Sequence, residues 1–175
     1  MSGKSTKKGG RKNARQSRQM GVVGLSIALV AIVVGGILFI GAISGWFDDK
    51  TMIVDAEYYN TDTVGLVDLP VSEYNKLIDD KKSFMVFVDQ GGCTTADRLR
   101  GYVEKVARER NMKVYKMMFS EMKESSLHDY VKHYPSVALI SHGKPVVWLR
   151  ADSDEDADAY NDENAFRGWL NKYLK

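Results

Sequence analysis

Hydrophobic residues follow two alternating kinds of spacing from residue 64 onward. Short apolar runs occur at 64–69, 83–88 and 112–119. The second run, SFMVFV, is nearly continuous, which is typical of a central strand that is covered on both faces. Between the runs, apolar residues recur at i, i+3, i+4 and i+7, which is the spacing of one helical face. The clearest such face comprises Leu99, Tyr102, Val103 and Val106.

The C-terminal part of the chain continues this alternation and then adds two strands in succession. A further helical face comprises Leu127, Tyr130, Val131 and Tyr134. The apolar runs 136–141 and 145–150 are separated by a short turn at Gly143, which predicts a β-hairpin. A last amphipathic helix comprises Ala165, Phe166, Trp169, Leu170 and Tyr173. The order β-α-β-α-β-α-β-β-α predicts an α/β domain over residues 64–175, in which helices flank a central mixed sheet.

The first 63 residues follow neither spacing. Residues 20–47 are mostly apolar and contain no charged residue. Because a bilayer core of roughly 30 Å needs about 20 apolar residues at a rise of about 1.5 Å each, this stretch predicts one transmembrane helix. Residues 48–63 are short and polar, and they predict a tether between that helix and the domain.

The distribution of charge predicts the orientation of this helix. Residues 1–19 carry seven basic and no acidic residues, whereas residues 48–175 carry all 23 acidic residues with 18 basic ones, a formal charge of −5. Because Lys and Arg stay on the cytoplasmic side, the sequence predicts a single-pass protein of the cell membrane with a cytoplasmic N-terminus and an extracytoplasmic domain. The tail is interpreted as a topology signal that touches the lipid bilayer, and not as an arm for nucleic acid. A cleaved signal peptide that ends near Ala42 to Ser44 is the alternative to an anchor.

The only cysteine of the chain, Cys93, lies in the turn VDQGGCTTA between an apolar run and the start of a helical pattern. A thiol at the first turn of a helix meets unpaired backbone N–H groups and the positive end of the helix dipole. Both favour the thiolate, which is the reactive form of cysteine. Arg98, about one turn along, adds a positive charge. Cys93 is therefore a candidate nucleophile.

In the order of its elements, in CTTA at a strand-to-helix junction and in YPSVALI at 134–140, the chain resembles the thioredoxin-like superfamily. The resemblance implies a thioredoxin-like fold over residues 64–175. It also implies that Pro135, preceded by Tyr134, is a cis-proline that begins the strand before the hairpin and lies beside Cys93. Members of the family carry a buried acid on the strand before the cysteine, for which Asp89 is the candidate here.

The chain departs from the family at the second cysteine, which is replaced by Ala96. Dithiol enzymes release their mixed disulfides through that second cysteine, so the sequence excludes an autonomous dithiol oxidoreductase. Two functions stay open. The first is a monothiol protein in the folding, assembly or thiol maintenance of envelope or secreted proteins. The second is a non-catalytic binding module, in which Cys93 only fills space. Both need an unidentified extracytoplasmic protein as partner, and the sequence does not decide whether the protein is an enzyme.

An acidic segment, DSDEDADAYNDE at 152–163, links the last strand to the last helix. Four of its residues fall at positions 1, 3, 5 and 12 of a calcium-binding loop, and they are Asp152, Asp154, Asp156 and Glu163. Ala157 stands where such a loop has its glycine. The alternative is a solvated loop in which Asp162 caps the last helix. No other metal or cofactor is predicted.

Overall fold

A mixed five-stranded sheet organises residues 50–175, which are the residues that the computed structural model describes. Its strands are β1 (Gly65–Asp68), β2 (Phe84–Asp89), β3 (Lys113–Met118), β4 (Ser136–Ser141) and β5 (Lys144–Trp148). In space they follow the order β1-β3-β2-β4-β5. Strands β1, β3 and β2 are parallel, and β4 and β5 form antiparallel pairs with their neighbours. The predicted mixed sheet and closing hairpin are thereby confirmed.

Helices flank this sheet. They are α1 (Val71–Asp79), α2 (Thr94–Glu109), α3 (Phe119–Met122), α4 (Ala157–Asn161) and α5 (Glu163–Tyr173). Every residue of β2 is buried, as the continuous apolar run predicts for a central strand. The predicted apolar faces of α2 and α5 also point into the core, where Leu99, Val103, Val106, Phe166 and Leu170 are buried.

Two predicted segments lie outside the described residues. They are the basic tail, residues 1–19, and the transmembrane helix, residues 20–47. Within residues 50–175, no helix combines the length and the apolar character that crossing a membrane requires.

The described part of the predicted tether, residues 48–63, packs onto the domain, which corrects the boundary drawn from the sequence. Met52 and Val54 are buried, and the Met52 amide donates to the carbonyl of Tyr173 at 2.7 Å. Tyr58 is buried as well. Burying these side chains removes apolar surface from water, which favours the packed arrangement. The apolar run from Met52 to Val54 is shorter than a typical strand, so the pattern did not indicate that this segment packs on the domain.

The helix predicted from Leu127 to Tyr134 is not formed. The chain instead makes the short helix α3 and then a single 3-10 turn at Ser126–Asp129. Ser125 caps this turn, because its hydroxyl accepts a hydrogen bond from the Leu127 amide at 3.3 Å. The residue before a proline is disfavoured in the α conformation, so a helix cannot easily continue to Tyr134. Of the four apolar residues behind the prediction, only Leu127 and Val131 are buried.

The acidic segment 152–163 is not a plain loop, because it contains α4. Ala159 and Tyr160 of this short helix are buried. Asp162 follows, and its carboxylate accepts a hydrogen bond from the Ala165 amide at 2.8 Å, which confirms the predicted cap of the last helix. Strand β5 ends at Trp148, before the predicted end at residue 150.

Candidate functional site

Cys93 lies at the N-terminal cap of α2, where the sequence predicts it. The chain leaves β2 at Asp89 and turns tightly, with the Cys93 amide donating to the carbonyl of Gln90 at 3.3 Å. The Cys93 carbonyl accepts a helical hydrogen bond from the Asp97 amide at 3.0 Å. Gly92 has φ of +75°, a left-handed conformation that favours glycine. Cys93 as a residue is partly exposed to solvent in this turn.

Pro135 lies at the same end of the sheet as the Cys93 turn. Its peptide bond with Tyr134 is cis, as the resemblance implies. Ser136, the first residue of β4, is paired with Val88 next to the end of β2. The antiparallel pairing of β2 and β4 therefore brings the cis-proline next to the end of β2, where the Cys93 turn begins. We call this end of the sheet the Cys93 edge.

Tyr134 contributes an aromatic pair to this edge. Its ring stacks on Phe119, with the centroids 4.8 Å apart and the ring planes inclined by 25°. Both rings are partly buried against the core. The Nζ of Lys123 lies 5.0 Å from the centroid of Phe119, within reach of a cation–π interaction. Tyr134 thus forms part of an apolar surface beside Pro135.

Ala96 occupies the position of the missing second cysteine. It is completely buried, and it follows the partly exposed Cys93 by about one helical turn. A partner in solution can therefore reach the Cys93 side chain but not that of Ala96. The site therefore combines a partly exposed cysteine with a buried alanine one turn later in the helix.

Asp89 is buried at the end of β2 and forms an ion pair with Arg100 of α2. Arg100 donates from Nε to Oδ2 at 3.0 Å and from Nη2 to Oδ1 at 2.8 Å, and its Nη1 donates to Asp97 at 2.8 Å. The hydrogen bond with Asp89 raises the pKa of the Arg100 guanidinium above its usual value. The buried acid implied by the resemblance is thus neutralised by a fixed cation.

Two other side chains that could approach the thiol, those of Arg98 and His133, make contacts elsewhere. Arg98, expected to add positive charge at Cys93, instead donates from Nη1 to Oδ1 of Asn161 at 2.7 Å. His133 lies with its Nε2 at 3.4 Å from Oδ2 of Asp152. These contacts direct both side chains toward the acidic segment that follows β5.

Three of the four residues of the predicted calcium loop make other side-chain contacts, one of which joins Asp152 to His133. Glu163 accepts a hydrogen bond from Lys105 Nζ at 2.6 Å, and the Asp156 carboxylate accepts one from the Arg150 amide at 2.9 Å. Among residues 50–175, no group of three or more His, Cys, Asp or Glu side chains is arranged to hold a metal ion. Calcium binding at this segment stays a prediction from the sequence and receives no support from the geometry.

Tyr160 is the residue at the Cys93 edge that the sequence pattern did not indicate. Its hydroxyl lies 2.9 Å from the carbonyl oxygen of Pro135 and 3.1 Å from that of Leu149. Burial raises the pKa of Tyr160, so the hydroxyl stays a hydrogen-bond donor at neutral pH. Tyr160 comes from α4, a segment whose acidic composition gives no signal of a buried aromatic contact.

Neither a protein-family model nor a curated protein matches the chain by sequence. Among solved structures, the chain is similar to a mutant thioredoxin from Halobacterium salinarum, with 17% identity and a TM-score of 0.49 over 63% of this chain and 92% of that one. It is also similar to the oxidised thioredoxin from Plasmodium falciparum, with 16% identity and a TM-score of 0.46 over 63% of this chain and 97% of that one. At such identities the likeness concerns the fold alone.

Proposed function

Since residues 50–175 form a thioredoxin-like domain, we propose that the protein acts outside the membrane as a monothiol partner of other thiol proteins. The observation that carries the proposal is a partly exposed Cys93 at the start of α2, with buried Ala96 behind it. The strand order supports the assignment of the fold independently of any sequence match.

The proposed chemistry is thiol–disulfide exchange. The Cys93 thiolate attacks one sulfur of a partner disulfide, so a new S–S bond forms to Cys93 while the other partner sulfur leaves as a thiolate and takes up a proton. A second thiol, from the partner or from a small molecule, then attacks the mixed disulfide and releases the Cys93 thiolate. One disulfide enters and one disulfide leaves, so the two steps need no net oxidant or reductant.

The presence of Ala96 in place of a second cysteine should prolong the lifetime of the mixed disulfide. Because the chain has no second cysteine, the mixed disulfide persists until another molecule supplies a thiol. A long-lived adduct suits a role in the folding, assembly or thiol maintenance of envelope or secreted proteins. The alternative, a non-catalytic binding module, is favoured by one observation, which is that Arg100 engages both carboxylate oxygens of the buried Asp89.

The proposed setting is the extracytoplasmic side of the cell membrane. Its support is the uncharged apolar stretch at 20–47 and the basic residues that precede it. The bilayer would then hold the chain, and an extracytoplasmic protein would meet Cys93. Protease added to intact spheroplasts should digest residues 48–175 and spare the basic tail, whereas protection of the domain would overturn this orientation.

Non-reducing gels of native membranes, prepared after rapid alkylation of free thiols, test the exchange itself. We expect bands of higher mass that contain the chain, collapse with reductant and vanish in Cys93→Ser. Thr95→Ser is the matched control, because it alters the same helical turn and keeps the thiol. If no adduct forms, or if Cys93→Ser keeps the full biological activity, the domain works by binding alone.

A further inference from the structure

The helix α4 connects the two parts of the Cys93 site. Tyr160 donates its hydroxyl to the carbonyl oxygen of Pro135 at 2.9 Å. Asn161, the next residue, accepts at Oδ1 a hydrogen bond from Arg98 at 2.7 Å, and its carbonyl accepts one from the Tyr102 hydroxyl at 3.2 Å. Arg98 and Tyr102 belong to α2, the helix that begins directly after the cysteine. Two consecutive residues thus contact both the cis-proline and the cysteine helix.

We propose that Tyr160 and Asn161 are positioning residues that fix the placement of Pro135 relative to Cys93. This inference rests on the proposed thiol exchange and adds to it the part of the fold that aligns the reacting groups. An incoming disulfide must place one sulfur in line with the Cys93 sulfur, and Pro135 lies at the same end of the sheet as the Cys93 turn. The rate of exchange falls steeply when the two sides of a site shift against each other, because the reacting atoms then lose their alignment.

The remaining contacts of Tyr160 connect α4 to the start of β4 and to the residue that follows β5. Its hydroxyl also lies 3.1 Å from the carbonyl oxygen of Leu149. The same carbonyl accepts a hydrogen bond from the Ser136 hydroxyl at 2.7 Å. The first residue of β4 and the residue after β5 are therefore joined at one point. The Tyr160 ring is buried, so a phenylalanine would keep the packing and remove only the hydroxyl.

Two rate constants measured on the full-length chain in detergent test the proposal. One is the rate of mixed-disulfide formation with a disulfide-bonded peptide, and the other is the rate of Cys93 alkylation by iodoacetamide, which needs no alignment along Pro135. We expect Tyr160→Phe to slow the first by about threefold to tenfold and to change the second by less than about twofold. Asn161→Ala should act in the same direction. Tyr115→Phe is the matched control, because its hydroxyl bonds to Glu73 and not to the Cys93 edge, and it should leave both rates unchanged.

An equal fall of both rates in Tyr160→Phe, or a fall no larger than in Tyr115→Phe, would overturn the positioning role. If the wild-type chain forms no mixed disulfide with the peptide, the proposed function is wrong. The positioning role is then tested by amide hydrogen exchange. Tyr160→Phe should speed amide exchange at Ser136 and in the first turn of α2, which are the two sides that α4 connects. Faster exchange confined to α4 would contradict the inference.

Discussion

Arg100 of α2 holds Asp89 of β2 through two hydrogen bonds, of 3.0 and 2.8 Å, across the turn that contains Cys93. The Asp89 side chain is only 5% exposed, whereas that of Arg100 is 30% exposed. A buried carboxylate without a cation costs several kcal/mol, so the pair holds the end of β2 against α2. In the proposed chemistry, Asp89 therefore has a structural role, because both of its carboxylate oxygens accept hydrogen bonds from Arg100.

We expect Arg100→Met to lower the free energy of unfolding by about 3 kcal/mol, near the lower end of the range for removing one partner of a buried ion pair, because the guanidinium is partly exposed. Urea denaturation measures this loss. Adding Asp89→Asn should recover part of it, since the uncompensated charge is then gone. Arg108→Met is the control on the same helix, where an exposed pair with Glu104 contributes about 0.5 kcal/mol or less. Equal losses in the two Arg variants would contradict the assigned role.

The ion pairs of Arg167 in α5 make the stability of the fold depend on pH. It donates to the carboxylates of Glu109 and Glu163, and so connects α2 to α5. The hydrogen bond from Arg167 lowers the pKa of Glu109, and hydrogen bonds from Lys105 and then Arg167 lower the pKa of Glu163. A carboxyl whose pKa is lowered by folding stabilises the fold above its unfolded pKa of 4.5, and that stabilisation is lost as the pH falls through the folded value.

We therefore expect the melting temperature to fall as the pH is lowered below about 4.5, and Arg167→Gln to make this dependence shallower. Melting curves recorded from about pH 6 down to about pH 3 at low salt measure it, because salt screens exposed pairs. Arg108→Gln, which removes one exposed charge elsewhere on α2, should leave the slope closer to that of the wild type. Identical slopes in all three proteins would show that these carboxylates do not contribute.

Gly143 is required at the tip of the β4–β5 hairpin. Its φ is +73°, and an added Cβ would overlap the carbonyl oxygen of Ile78 at the end of α1. We expect Gly143→Ala to destabilise the fold by about 2 kcal/mol, because the left-handed backbone and the overlap both oppose a side chain. Gly168→Ala is the matched control within α5, where nothing lies within 4 Å of the added carbon. It should stabilise the helix by about 0.8 kcal/mol, and a destabilisation of both variants would contradict the argument.

The features that the sequence predicted well depend on local patterns. The continuous apolar run of β2 marks a central strand, and the change of spacing after Cys93 marks the start of α2. Pro135 is identified by the resemblance, because the motif around it is also local. These predictions needed no knowledge of which residues meet across the fold.

The features that the sequence did not predict depend on contacts between distant residues. Tyr160 meets Pro135 across 25 positions of the chain, and no periodicity marks a five-residue helix whose buried side chains face a strand end. For the segment before Tyr134, by contrast, the sequence predicted a helix that the structure does not form. There the helical spacing was present, but the following proline and the Ser125 cap favoured a single 3-10 turn.

Replacing Ala96 with cysteine tests whether the missing thiol sets the lifetime of the Cys93 adduct. Side chains three residues apart are neighbours on a helix, and the extended backbone of Cys93 at the cap, with φ of −107° and ψ of 122°, lies outside the rigid part of α2. We expect Ala96→Cys to form a disulfide with Cys93, to shorten the life of the mixed-disulfide bands and to confer insulin-reducing activity. Ala107→Cys is the matched control, because Ala107 is equally buried on α2 but lies about 20 Å from Cys93 along the helix and cannot bridge to it. Adducts whose lifetime does not change in Ala96→Cys, or shortens equally in Ala107→Cys, would show that release is not limited by the missing thiol, and the monothiol exchange would then lose its physical basis.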